Sequence, residues 1–96
     1  MPLSFKPDRA VYDPSRGVMR FFATDGALLV NCGVSKTALM ELDEGAPRGG
    51  GVLEHIYERH RERIQQAAAR KHGKRQVEKD GTIIVHPKDL LTRVNS

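Results

Sequence analysis

The chain has 96 residues, 39% of them apolar and 29% charged, with a formal net charge of +4 and one cysteine. That is enough for one modest core and not for two, and a lone cysteine excludes an internal disulfide. No apolar run approaches the roughly 18 residues of a membrane-spanning helix, and the opening MPLSFKPDRA lacks a signal-peptide core, so the expected location is the cytoplasm.

Residues 1–9 contain Pro2 and Pro7 and show no periodicity. They read as a partly ordered N-terminal arm, with Phe5 available to the core. Ala10-Val11-Tyr12 is a short strand candidate. Asp13-Pro14-Ser15-Arg16-Gly17 follows with proline at the second turn position and glycine at the end, as a turn favours. The stretch 17–34 predicts a β-hairpin around Asp25-Gly26, because Asp-Gly between two β-rich runs supplies the positive φ of a tight turn. A two-residue loop there pairs Thr24 with Ala27, Phe22 with Leu29, Phe21 with Val30 and Met19 with Cys32. Alternation gathers Met19, Phe21, Ala23, Leu28, Val30 and Cys32 on one apolar face. Val18, Arg20, Phe22, Thr24, Leu29 and Asn31 make up the opposite, mixed face.

Ser35 fits a helix N-cap, with Val34 and Leu39 spaced for a hydrophobic staple. Leu39 and Leu42 share a face of this short helix, which is expected to stop near Glu44-Gly45, before a loop over 46–51 marked by Pro47 and three glycines. A long helix is then predicted over 52–72, ended by Gly73. At 100° per residue, Leu53, Ile56, Tyr57, His60, Ile64, Ala67 and Ala68 fall on one stripe about 60° to either side of Leu53. That stripe is the natural cover for the hairpin's apolar face. Lys71, Lys74 and Arg75 stand where cations oppose the helix dipole. Asp80-Gly81 is a second turn signal, and Thr82-Ile83-Ile84-Val85 is a strand by β-branched content; whether 75–79 pairs back onto it stays open. His86-Pro87 starts a short terminal helix with Leu90, Leu91 and Val94 as apolar positions. Residues 1–96 therefore form a single small α+β domain. Its antiparallel β-meander of three to four strands has one face covered by a long helix, with a short helix between.

Reactive patterns fail on geometry. Gly33-Val34-Ser35-Lys36-Thr37 lacks the four-residue gap and second glycine of a phosphate loop. His55 and His60 lie about 140° apart around a helix, and no histidine pair has the i, i+4 spacing of a helical zinc site. Cys32 faces the core, where a thiol is more often inert packing than a nucleophile. No Gly-x-Ser-x-Gly elbow occurs. No residue is assigned to catalysis, a cofactor or a metal, and the chain is not read as an enzyme. His60 reads as a histidine at the edge of the core rather than a pH switch. Gly49-Gly50-Gly51 with Arg48 reads as a connector rather than an anion site, since Glu54 in the first turn already answers the dipole.

Charge is uneven. From Arg59 to Lys79 eight basic residues stand against Glu62 and Glu78, so the remainder of the chain is net negative. Arg59, Arg63 and Arg70 fall within about 40° of one another on the long helix, forming a ridge that Lys71, Lys74 and Arg75 extend. Such a ridge suits an acidic partner or the phosphates of a nucleic acid, although a solvated helix surface is the simpler reading. The mixed face of the hairpin, with Arg20, Phe22 and Leu29, is the other candidate surface and suits a protein–protein contact. The leading expectation is a non-enzymatic protein-interaction module, possible self-association into a homodimer included. Weak, sequence-nonspecific nucleic-acid binding through the ridge is the alternative, and no membrane partner is expected.

The order of the pieces carries a resemblance. Val18 to Ala23, Cys32-Gly33-Val34-Ser35, Leu39, the helix from Leu53 to Ala68, and Asp80-Gly81-Thr82-Ile83-Ile84-Val85 together resemble the domain-of-unknown-function family 1488 of small proteobacterial proteins. The likeness spans roughly Ala10 to Leu90, with Thr82 where a more polar or basic residue is expected. It implies an α+β fold and a soluble bacterial protein, and it supplies no activity and no site residues.

Overall fold

A computed structural model describes residues 3–5, 10–42 and 50–91. In chain order the elements are β1 (Ser4–Phe5), β2 (Val11–Asp13), β3 (Val18–Asp25), β4 (Leu28–Ser35), α1 (Lys36–Leu42), α2 (Gly50–Arg59), α3 (Arg61–Gly73), β5 (Ile83–Val85) and α4 (Pro87–Leu91). The expected α+β class holds. The predicted end of the first helix near Glu44-Gly45, the loop part carrying Pro47, Arg48 and Gly49, and Val94 lie outside the described residues.

The hairpin of β3 and β4 is the centre of the sheet, but its turn sits one residue later than Asp25-Gly26. Asp25 pairs with Leu28, so Gly26 and Ala27 form the loop, and Phe21 opposes Cys32 while Met19 opposes Val34. Gly26 has φ +65° and Ala27 does not have positive φ, the arrangement of a II′-type turn with glycine first. Placing the left-handed residue on glycine removes the cost it has for aspartate. Asp25 stays in the strand, where its carboxylate meets His72 Nε2 at 3.0 Å. The register moves by two residues, so every side chain keeps its predicted face. Met19, Phe21, Ala23, Cys32 and Val34 are buried, while Leu28 at the tip is 70% exposed.

β1 and β2 lie end to end along the free edge of β3, both antiparallel to it. The turn between β2 and β3 forms as expected. The Asp13 carboxylate accepts from the Ser15 N–H at 3.1 Å, the Asp13 carbonyl accepts from the Gly17 N–H at 2.9 Å, and Gly17 has φ +65°. On the other side, β5 pairs with β4 in parallel, Cys32 with Ile83 and Val34 with Val85. The sheet is therefore mixed and five-stranded, with more strands than the three to four expected and one parallel pair in place of a purely antiparallel meander. The cause is connectivity: the chain leaving one end of β4 crosses back through helices to the opposite end of the sheet, where β4 begins, and such a crossover produces parallel pairing. Residues 75–79 form no strand. Instead the Asp80-Gly81 segment closes a small loop, with the Gly81 N–H donating to Glu78 O at 2.9 Å and the Thr82 N–H to Asp80 Oδ1 at 3.0 Å.

Ser35 caps α1 as predicted, its hydroxyl accepting from the Ala38 N–H at 3.1 Å. The long helix is two helices that meet at His60, whose backbone opens to φ −111°, ψ 19°. Hydrogen bonds continue across the break, from the His60 N–H to Ile56 O and from the Ile64 N–H to His60 O. The bend lets one stripe reach across the sheet: α2 lies against β2 and β3, and α3 against β5 and α4. Leu53, Ile56, Tyr57, Ile64, Ala67 and Ala68 are all buried. Phe5, Phe21 and Tyr57 form a file of rings with centroids 6.1 and 5.2 Å apart. α2 begins at Gly50, two residues earlier than expected, so Glu54 stands in its second turn.

Gly73 does not provide the left-handed stop of α3. It is the last helical residue, and the positive φ belongs to Arg75, at +58°. The Gln76 N–H donates to Lys71 O at 2.9 Å and the Arg75 N–H to His72 O at 3.1 Å, which is a Schellman closure. No described helix is long and apolar enough to cross a membrane.

Candidate functional site

The sheet has two unlike faces, because parity sends alternate residues to opposite sides. One is the core face under the helices. The other carries Val11 and Asp13 from β2, Val18, Arg20, Phe22 and Thr24 from β3, and Leu29, Asn31 and Gly33 from β4. At one end of this second face, Val18 and Ile84 are buried and close over Gly33, where a Cβ would meet Val18 Cγ2 at 3.2 Å and Ile84 Cδ1 at 3.3 Å. Arg16 and Asp80 pair at 3.2 Å across the loops that lead into those strands. The rest of the face lies under no described helix: Val11 and Leu29 are each 60% exposed, and Arg20, Phe22 and Asn31 are half-buried. The Arg20 guanidinium lies 5.8 Å from the Phe22 ring centroid and 3.9 Å from the Asp13 carboxylate. Phe22 opposes Asn31 and Leu29 opposes Thr24. The predicted direct pair of Phe22 with Leu29 is thus a diagonal one on the same face, still within side-chain reach.

Arg59, Arg70, Lys74 and Arg75 of the basic ridge are exposed and Arg63 and Lys71 are half-buried, yet part of the ridge is engaged within the fold. Arg63 Nη2 donates to Leu90 O at 3.0 Å, and Arg70 Nη2 donates to Asp89 O at 3.1 Å. Both arginines thus donate to carbonyls in the last turn of α4, where a helix runs out of its own donors. Lys71 Nζ meets Asp89 Oδ2 at 2.9 Å. Arg59 lies on α2 and Arg63 and Arg70 on α3, so the bend at His60 divides the ridge. Lys74 and Arg75 form the C-terminal cap of α3.

Asp89 is the residue that sequence reasoning missed. Burial pushes its carboxyl up, but the His86 backbone N–H at 2.8 Å and the Lys71 ammonium outweigh that and hold it below the ordinary value. The signal was present: in His86-Pro87-Lys88-Asp89 an acidic residue stands three after the cap, the reciprocal half of a capping box. Around this hub Arg70, Lys71, Lys74, His86 and Lys88 line a cleft of about 560 Å³. Cys32 has the opposite character. It is fully buried, and desolvation pushes its thiol up to about 12, as expected of inert packing. His60 is half-buried at the bend, and among the described residues no three His, Cys, Asp or Glu side chains come together to hold a metal ion.

Comparison with known proteins comes down to one family. The model for "Protein of unknown function (DUF1488)" matches residues 3–85. The crystal structure of a DUF1488 protein of unknown function from Shewanella loihica PV-4 is similar, with a TM-score of 0.80 at 17% identity, covering 88% of this chain and 91% of that one. At that identity the likeness concerns the fold. No curated protein matches.

Proposed function

The chain belongs to the DUF1488 family of proteins of unknown function, and from the surface its fold leaves open we propose that it works as a protein-contact module rather than an enzyme, with a second copy of itself as the partner. The observation that carries this reading is a sheet face that no described helix covers. Of the large apolar side chains exposed among the described residues, Val11 and Leu29 lie on that face, with Phe22 between them. Apolar side chains clustered on one open face mark contact sites, whereas single ones need no explanation.

Charge favours a second copy as the occupant. A chain of net charge +4 repels itself on average. The strand residues of this face, however, carry one charge of each sign, Arg20 and Asp13, held at a long 3.9 Å. In a two-fold arrangement the same patch meets itself, so Arg20 of one copy can exchange its distant partner for Asp13 of the other. Phe22 and Arg20 are residue types enriched at such contacts. Static light scattering over a range of concentrations tests this directly. The mass should rise towards that of a dimer with concentration, and a constant monomer mass contradicts the proposal.

A further inference from the structure

The cleft beside α4 has a chemistry that the sheet face does not share. It lies where the C-terminal end of α3, the chain leading to β5 and the start of α4 converge, and its volume of about 560 Å³ is that of a small-molecule site. Four formal cations, Arg70, Lys71, Lys74 and Lys88, face two carboxylates, Glu78 and Asp89. The carboxylates do not cancel them. Asp89 is already engaged by Lys71 at 2.9 Å and by the His86 N–H at 2.8 Å, which fixes the wall and leaves the surplus positive charge elsewhere. Lys74 and Lys88 are exposed, stand on different walls, and make no side-chain hydrogen bond or ion pair among the described residues.

We propose that this cleft binds a small anion bearing two or more phosphate groups, bridged between Lys74 and Lys88. Two ammonium groups on separate walls suit a ligand whose charge is itself divided, and lysine binds phosphate as a mobile point charge. The volume exceeds what a single phosphate fills. Val77, 45% exposed at the rim, offers an apolar contact to the remainder of the ligand. The dipole of α3 works against an anion here, since its C-terminal end is the negative one. The lysine charges therefore carry the attraction, and it must weaken with salt.

Calorimetric titration of the full chain with sodium pyrophosphate, beside sodium sulfate at matched ionic strength and a short oligothymidine, tests this. One pyrophosphate should bind per chain, with millimolar or tighter affinity and more tightly than sulfate. Lys74→Gln/Lys88→Gln should weaken it about tenfold or more while changing the melting temperature little, because neither side chain is bonded to a described residue and Lys74 only favours the α3 dipole from its exposed end. Absence of pyrophosphate binding, or equal binding by the double variant, overturns the site. So does oligothymidine binding that pyrophosphate cannot compete away, since the lysines would then serve a polymer along an open surface.

Discussion

The Lys71 ammonium on α3 lies 2.9 Å from the Asp89 carboxylate on α4, and both side chains are largely withdrawn from water. The same carboxylate caps α4 through the His86 N–H, and the Asp89 carbonyl accepts from Arg70. A five-residue helix cannot persist through its own hydrogen bonds. It is held by side chains reaching across from α3, and Asp89 is where those contacts converge.

Asp89→Asn should therefore cost about 1–2 kcal/mol, the sum expected for a weakened cap and a lost charge-assisted bond. The acid limb of the stability profile carries the same information. The Asp89 carboxyl is held below its ordinary value of 3.8, so its contribution is complete above that pH and is lost as pH falls through the lower folded value. Chemical denaturation from about pH 6 down to about pH 2, which brackets ordinary aspartate titration, should show a shallower acid loss in the variant. Identical slopes contradict this role.

Ile64 is fully buried under the sheet. Ile64→Asp places an unpaired charge there and removes an aliphatic side chain whose burial is worth roughly 1.5–3 kcal/mol. The variant should be unfolded or nearly so by circular dichroism. A melting temperature within a few degrees of wild type contradicts the packing of α3 on the sheet.

The end of α3 gives two expectations from substitutions of opposite kind, one to glycine and one from it. Arg75 holds φ +58°, so Arg75→Gly should stabilise by roughly 0.5–1 kcal/mol. Gly73 is helical, has no positive φ and has open space where a Cβ would go. Gly73→Ala should likewise stabilise, by about 0.5–1 kcal/mol. Were Gly73 the left-handed stop, its substitution would destabilise instead, and thermal melts of the two variants separate these cases.

Cys32 is fully buried, and desolvation pushes its thiol up to about 12. An aromatic disulfide reagent at mildly alkaline pH should leave it unmodified in the native protein and label it at the rate of unfolding. Rapid labelling under native conditions contradicts its packed position.

Much of this molecule was legible along the chain because its signals are periodic. The two faces of the hairpin survive a two-residue change of register, since side-chain parity does not depend on which glycine-containing pair makes the turn. The stripe from Leu53 to Ala68 survives the bend at His60, which neither proline nor an adjacent glycine announces. Pairing direction is another matter. Whether Ile83–Val85 joins β4 in parallel depends on the route of the intervening helices, although three buried residues in a row are what a strand covered on both faces shows. The contacts of the basic ridge were hidden for a related reason. A helical wheel places Arg63 and Arg70 on a surface, but only the fold brings the carbonyls of Asp89 and Leu90 to them.

The open sheet face is the centre of this account, and sedimentation velocity of three chains tests it most directly. Leu29 and Phe22 lie on that face, whereas Leu28, more exposed than either, projects to the opposite side at the hairpin tip. Wild type and Leu28→Glu should associate alike as concentration rises, and Phe22→Glu should remain monomeric throughout. Association that persists in Phe22→Glu, or a wild-type chain that stays monomeric at every concentration, would contradict the assignment of this face as the contact surface.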